Sequence, residues 1–231
     1  MSLLLRDFER ADALDAALSE RLIDGLVAAI DARGEAILAV SGGRTPAGLF
    51  ECLSEAPLDF SKVMITLTDE RCVPLDHPDS NAQMVERLLL QRNAKQSRFI
   101  PLYDSAMDRA AQCQSLNLQF NRLPIFDAVV LGMGLDGHTA SLFPGATGLP
   151  AAMDLSSDTA VTLIQPLTAP HARMTLTAAR LLKTRALILH VTGDEKLSLL
   201  NEVSGGADAM QYPVGLFLAQ NAPATEVFWA P

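Results

Sequence analysis

Apolar positions along the chain follow two periods. Leu14, Leu18, Leu22, Leu26 and Ile30 recur every fourth residue, with Ile23 and Val27 beside them. That spacing predicts a helix with one apolar face, and Gly34 is placed to end it. Glu35 to Ser41 reads as a strand that turns at Gly42-Gly43. Thr45-Pro46 predicts the start of a second helix, with Thr45 as N-cap and Pro46 in the first position. Val63 to Thr68 reads as a strand of alternating β-formers, and Ser80 with Gln83 forms a capping-box pattern ahead of Met84, Val85, Leu88 and Leu89. Helices are expected over 104–122, 176–182, 195–203 and 214–218, with Pro170 to Leu176 read as beginning a helix that carries Arg173. Strands are expected over 126–131, 160–164, 186–192 and 227–229.

Strands alternating with helices imply an α/β fold, a mainly parallel sheet covered by helices on both faces in three layers. Such sheets bind ligands beyond the carboxyl ends of their strands. The sequence has no internal repeat and no linker, so residues 1–231 are expected to be a single domain. Two loops are rich in turn formers, Pro74 to Ser80 and Gly145 to Asp158, and the second is long enough to be a lid.

Composition sharpens this picture in three ways. Hydrophobic residues make up 49% of the chain and aromatics only 5%, so the core is mostly aliphatic, as helix-on-sheet packing prefers. The net charge of -9 argues against nucleic acid as a partner but not against a small anion, which needs only local positive charge. Cys52, Cys72 and Cys113 are odd in number and lack metal-ligand spacing, which points to a reducing, cytoplasmic compartment. Met1 to Arg6 holds three consecutive leucines and is expected to be no secretory signal. No apolar run approaches the length of a membrane span.

Four loops that leave predicted strands carry polar residues that packing would not select. The central one follows the strand ending at Leu131 and runs Gly132-Met133-Gly134-Leu135-Asp136-Gly137-His138. Its glycines match the G-x-G-x-x-G spacing of a dinucleotide site. Phe143-Pro144-Gly145 stops any helix after about one turn, however, and Asp136 would set a carboxylate against the pyrophosphate. A nicotinamide or flavin is therefore not expected. The loop instead delivers His138, whose side-chain type titrates near neutrality, to the edge of the sheet. The loop Ser41-Gly42-Gly43-Arg44-Thr45-Pro46 feeds a helix start and suits an anion. Thr68-Asp69-Glu70-Arg71 crowds charge at a strand end. Arg173, and Lys196 in Thr192-Gly193-Asp194-Glu195-Lys196, are read as two cations beside two helix starts, an arginine fork and a lysine point charge for a phosphate. There is no G-x-S-x-G elbow, no H-E-x-x-H and no Walker loop, and His77 and His190 read as structural.

Taken together, SGGRTP at 41–46, TDERCVP at 68–74, SNAQM at 80–84, LGMGLDGHTASLFPG at 131–145, PHARMTLT at 170–177 and TGDEKL at 192–197 resemble the 6-phosphogluconolactonase family. That family is similar in fold to the glucosamine-6-phosphate deaminases and sugar-phosphate isomerases. The resemblance implies hydrolysis of 6-phosphogluconolactone in the oxidative pentose phosphate pathway, with no metal and no organic cofactor. The partner is then a small sugar-phosphate lactone, with no nucleic acid and no membrane; monomer and homodimer both stay open. The deaminase branch follows its D-G-H loop with an Asn-Glu-Pro segment, where this chain has Leu142-Phe143-Pro144, and has an aromatic residue at the place of Arg71. Both departures favour the lactonase, with a deaminase or isomerase as the alternative.

On that reading, Gly42, Gly43, Arg44, Thr45, Arg173 and Lys196 are the expected phosphate ligands. His138 is the expected base, and Arg71 or a backbone N–H of the glycine loop is expected to hold the oxyanion. Asp136 and Asp69 are expected to orient His138, Arg71 or sugar hydroxyls, and Asn81 to bind hydroxyls.

Overall fold

The four-residue apolar stripe forms helix α1 (Ala11–Arg33), ended by Gly34 at φ 82°, whose N–H donates to the Ile30 carbonyl. Leu14, Leu18, Leu22 and Leu26 on this stripe are fully buried, each contributing about 1.5–3 kcal/mol by leaving water. The computed structural model describes residues 4–231, so Met1 to Leu3 of the segment Met1 to Arg6, read as no secretory signal, lie outside the described residues.

In chain order the strands are β1 (Leu4–Asp7), β2 (Ala36–Val40), β3 (Val63–Leu67), β4 (Asp69–Arg71), β5 (Arg98–Ile100), β6 (Ala128–Leu131), β7 (Val161–Ile164), β8 (Arg173–Leu176), β9 (Leu187–Thr192) and β10 (Thr225–Ala230). The remaining helices are α2 (Ala47–Glu55), α3 (Asn81–Leu88), α4 (Arg109–Arg122), α5 (Leu149–Met153), α6 (Ala178–Leu181), α7 (Asp194–Ser204) and α8 (Val214–Leu218).

Seven strands form one sheet in the order β1-β10-β9-β6-β2-β3-β5, and every pairing in it is parallel. Every residue of β2, β3 and β6 is buried, as a sheet flanked by helices on both faces requires. The chain winds outward from β2 through β3 to β5, and from β6 through β9 to β10. The order therefore reverses between β2 and β6, and the crevice beyond their carboxyl ends is the position where doubly wound sheets take ligands. A small antiparallel sheet, β4-β8-β7, stands beside it.

Local chemistry explains where the elements differ from the sequence reading. Thr45 is not the cap of α2: Pro46 occupies that position without a side-chain hydrogen bond, and the helix starts at Ala47. The helix expected from residue 104 begins at Arg109, because the Asp108 carboxylate accepts from the N–H groups of Ala110 and Ala111 and fixes the start there. Arg173 does not open a helix. Residues 173–176 pair with β4 and β7 as strand β8, and the helix waits for Thr177, whose hydroxyl accepts from the Arg180 N–H.

Candidate active site

The loops after β2, β3, β6 and β9 meet at the switch point around a cleft of about 350 Å³. It is lined by Gly42, Gly43, Arg44, Thr45, Asp69, Arg71, Asn81, His138, Arg173 and Lys196. Of the residues singled out by sequence, only Asp136 is absent from the wall, and it stands directly behind His138. Its Oδ1 lies 2.5 Å from His138 Nδ1 and also accepts from the His138 backbone N–H at 3.1 Å. With Nδ1–H turned to the carboxylate, the lone pair of the ring is on Nε2. Burial raises the Asp136 carboxyl, but the hydrogen bonds and charge of His138 outweigh this and its pKa is lowered overall.

Two glycines make the pairing possible. A Cβ on Gly134 would stand 2.2 Å from His138 Nδ1 and 2.7 Å from Asp136 Oδ1. Gly137 holds φ 76° and carries the turn between the two side chains. The imidazole stacks on Phe143 with ring centres 4.2 Å apart, and the Arg173 guanidinium lies 5.6 Å from the centre of the same ring. Phe143 thus holds the histidine and an arginine on one ring.

The cations fall into two pairs. Arg71 and Arg173 occupy opposed positions across β4 and β8. Like charges placed so are destabilising unless an anion sits between them. Each has a buried Nε with no hydrogen-bond partner among the described residues. Burial, and then the charge of Arg71, lower the Arg173 pKa. Lys196, in the first turn of α7, is likewise lowered by burial and then by Arg44. Asp69 is the one carboxylate among the described residues lining the cleft; it accepts from the Ser141 hydroxyl.

Asn81 is braced rather than free. Its Nδ2 donates to the Asp69 carbonyl at 2.8 Å, and a Cβ at Gly42 would fall 1.9 Å from its Oδ1. Glu70 does not line the cleft. Its buried carboxylate accepts from the N–H groups of Arg71, Asn81 and Ala82, so it ties β4 to the start of α3 and sets both Arg71 and Asn81. Burial raises its pKa against those hydrogen bonds.

His190 was read as structural, but it lines the cleft. It is 3% exposed, its Nε2 lies 3.3 Å from Asp15 Oδ1, and its Nδ1 has no partner among the described residues. Its place inside an apolar strand hid it; a lone histidine in that strand three residues before the Gly193 turn was the available signal.

Residues 9–229 match the model of the family described as glucosamine-6-phosphate isomerases/6-phosphogluconolactonase. A 6-phosphogluconolactonase of Rhizobium meliloti is 40% identical, the match covering 100% of both chains. The crystal structure of a 6-phosphogluconolactonase from Shewanella baltica superposes with a TM-score of 0.95 at 37% identity, covering 100% of this chain and 98% of that one. A monomeric glucosamine-6-phosphate deaminase shares the fold alone, at a TM-score of 0.80 and 18% identity over 98% of this chain and 96% of its own. The glycine–histidine loop at the switch point, the cationic cleft and these full-length matches agree: the chain belongs to the glucosamine-6-phosphate isomerase/6-phosphogluconolactonase family.

Proposed function

We propose that this chain is a cytoplasmic hydrolase, acting as one domain over residues 1–231, that converts 6-phospho-D-glucono-1,5-lactone to 6-phosphogluconate in the oxidative pentose phosphate pathway. The observation that carries the reading is the Asp136–His138 pair, 2.5 Å apart, at a cleft lined by four cations and one carboxylate. The full-length relatives that bear the lactonase name support the substrate.

The dianionic phosphate is taken by Lys196, Arg173, Arg44 and the Gly42–Thr45 loop, where the first turn of α2 has amides without helical acceptors. Held there, the lactone ring reaches His138. Nε2 removes a proton from water, and the hydroxide forms a bond to the lactone carbonyl carbon. The carbonyl oxygen takes up the electron pair and is stabilised by Arg71 or a glycine-loop N–H. As the carbonyl re-forms, the bond to the ring oxygen breaks, and the imidazolium returns its proton to that oxygen. Asp136 stabilises the imidazolium throughout. The step needs no metal or organic cofactor. Asp69 and Asn81 orient sugar hydroxyls and the loops around them.

The test is acid release from freshly generated lactone, with the spontaneous rate subtracted. His138→Ala is expected to lower kcat by about 10²–10⁴, the usual worth of a general base. Near-wild-type kcat in the variant would remove His138 from the mechanism. A deaminase of the same fold is the second reading, since Asp69 stands in the cleft as a possible carboxylate base. Ammonia release from glucosamine 6-phosphate, with no acceleration of lactone hydrolysis, would establish that reading instead.

A further inference from the structure

Beside Arg71, which lines the cleft, two loops from different parts of the fold bring together two imidazoles and a carboxylate. His77 and Asp79 come from the loop between β4 and α3, and His171 from the turn before β8. One ligand atom from each lies within 4.8 Å of the other two. His171 Nε2 stands 3.1 Å from Asp79 Oδ2, and His77 Nδ1 stands 3.9 Å from the same oxygen. The two rings meet edge to face with centres 5.3 Å apart. His171 holds φ 68°, a left-handed backbone that few residues other than glycine adopt. The pairing with Asp79 is one thing that conformation secures.

We propose that His77, Asp79 and His171 form a binding site for a divalent transition ion of the zinc type, separate from the His138–Asp136 pair. The donor set selects the class of ion. Two imidazole nitrogens and one carboxylate oxygen suit zinc, cobalt or nickel, whereas magnesium and calcium ask for oxygen alone. Zinc–ligand bonds of about 2.0–2.1 Å place tetrahedral donors roughly 3.3 Å apart. The His171–Asp79 separation already has that span, and His77 closes by a movement of its exposed loop. Three protein donors leave a position for water.

Two contacts oppose the ion and set the expected strength. The Asp79 N–H donates to His77 Nδ1 at 3.1 Å and must be given up, or the ring turned. Arg71 Nη1 donates to the Asp79 carbonyl at 2.6 Å, so a guanidinium is close by. Binding is therefore expected in the micromolar rather than the nanomolar range.

The experiment is a titration of the full chain with cobalt(II), followed by its visible d–d absorption, and with zinc by calorimetry. One ion per chain is expected. His77→Ala and His171→Asn are each expected to weaken binding at least tenfold. Asparagine tolerates the left-handed backbone at position 171, so the loss reports the imidazole and not the fold. Cys52→Ser and His138→Ala are expected to bind as wild type, which separates this site from a thiol and from the proposed base. Absence of saturable binding, or unchanged affinity in both His77→Ala and His171→Asn, would overturn the proposal.

Discussion

Asp136 acts on His138 twice through one oxygen, holding the main chain of the turn and the ring nitrogen together. Replacing it with Asn keeps the shape and removes the charge that favours the imidazolium. Asp136→Asn is expected to lower kcat by about 10² or more with KM nearly unchanged, read from initial rates on fresh lactone. A parallel rise in KM would make Asp136 a substrate ligand instead. The same carboxyl carries a pH signature. Its pKa is lowered in the folded state, so its contribution to stability is present above the ordinary carboxylate value and disappears as pH falls through the lowered one. Denaturation midpoints of wild type and Asp136→Asn should therefore differ at neutral pH and converge in acid. At this scale the sequence was informative wherever a residue violated packing logic: His138 among glycines, Arg71 at a strand end. It read His190 as structural and gave Glu70 no role of its own, because both roles depend on partners outside their own loops, Asp15 and the start of α3.

Among the elements, long periodic ones were legible and short ones were not. α1, β2, β3 and β9 carry enough apolar residues to declare a period. β4 is Asp-Glu-Arg, a strand with no apolar residue, and exists because β8 supplies its hydrogen bonds. Reading Arg173 as part of a helix start followed from missing that partner. β1 and β5 are edge strands of four and three residues, too short to show alternation. A junction between elements also sets the frame behind the cleft. The buried carboxylate of Asp127, just before β6, accepts from the Ile37 N–H of β2 at 2.8 Å. It pairs as well with Arg33 in the last turn of α1 and with Arg185. Asp127→Ala leaves a buried N–H without an acceptor and frees one arginine at a helix C-terminus. The expected cost is about 1–3 kcal/mol, chiefly from the unmade hydrogen bond, since the arginines left behind are 36% and 51% exposed and return to water. Urea unfolding measures it, and a loss under about 0.5 kcal/mol, the range of an ordinary surface change, would show that the junction does not depend on this residue.

Across the whole molecule the net charge is -9, yet the cleft collects Arg44, Arg71, Arg173 and Lys196 against Asp69. A cationic crevice in an acidic body focuses the field where the strands end and attracts a small dianion without attracting polyanions. The field is maintained at a cost that the protein itself records: burial and Arg44 depress the Lys196 ammonium. A bound phosphate reverses that pressure, because an anion favours the charged form. Above about pH 8, where a phosphate has lost its second proton, binding of 6-phosphogluconate should therefore draw a proton onto Lys196. The uptake should grow as pH approaches the depressed value of the free protein. Calorimetry in two buffers of different ionisation enthalpy measures it, and Lys196→Met is expected to abolish it. Lys196→Ala and Arg173→Ala should each raise KM at least tenfold while kcat falls less, since they hold the end of the substrate remote from the reacting carbonyl. Proton uptake that survives in Lys196→Met, together with an unchanged KM in both alanine variants, would move the phosphate away from these cations. It would then be left to Arg44 and the Gly42–Thr45 loop or to Arg71, and in the second case the oxyanion would fall to the backbone of the glycine loop.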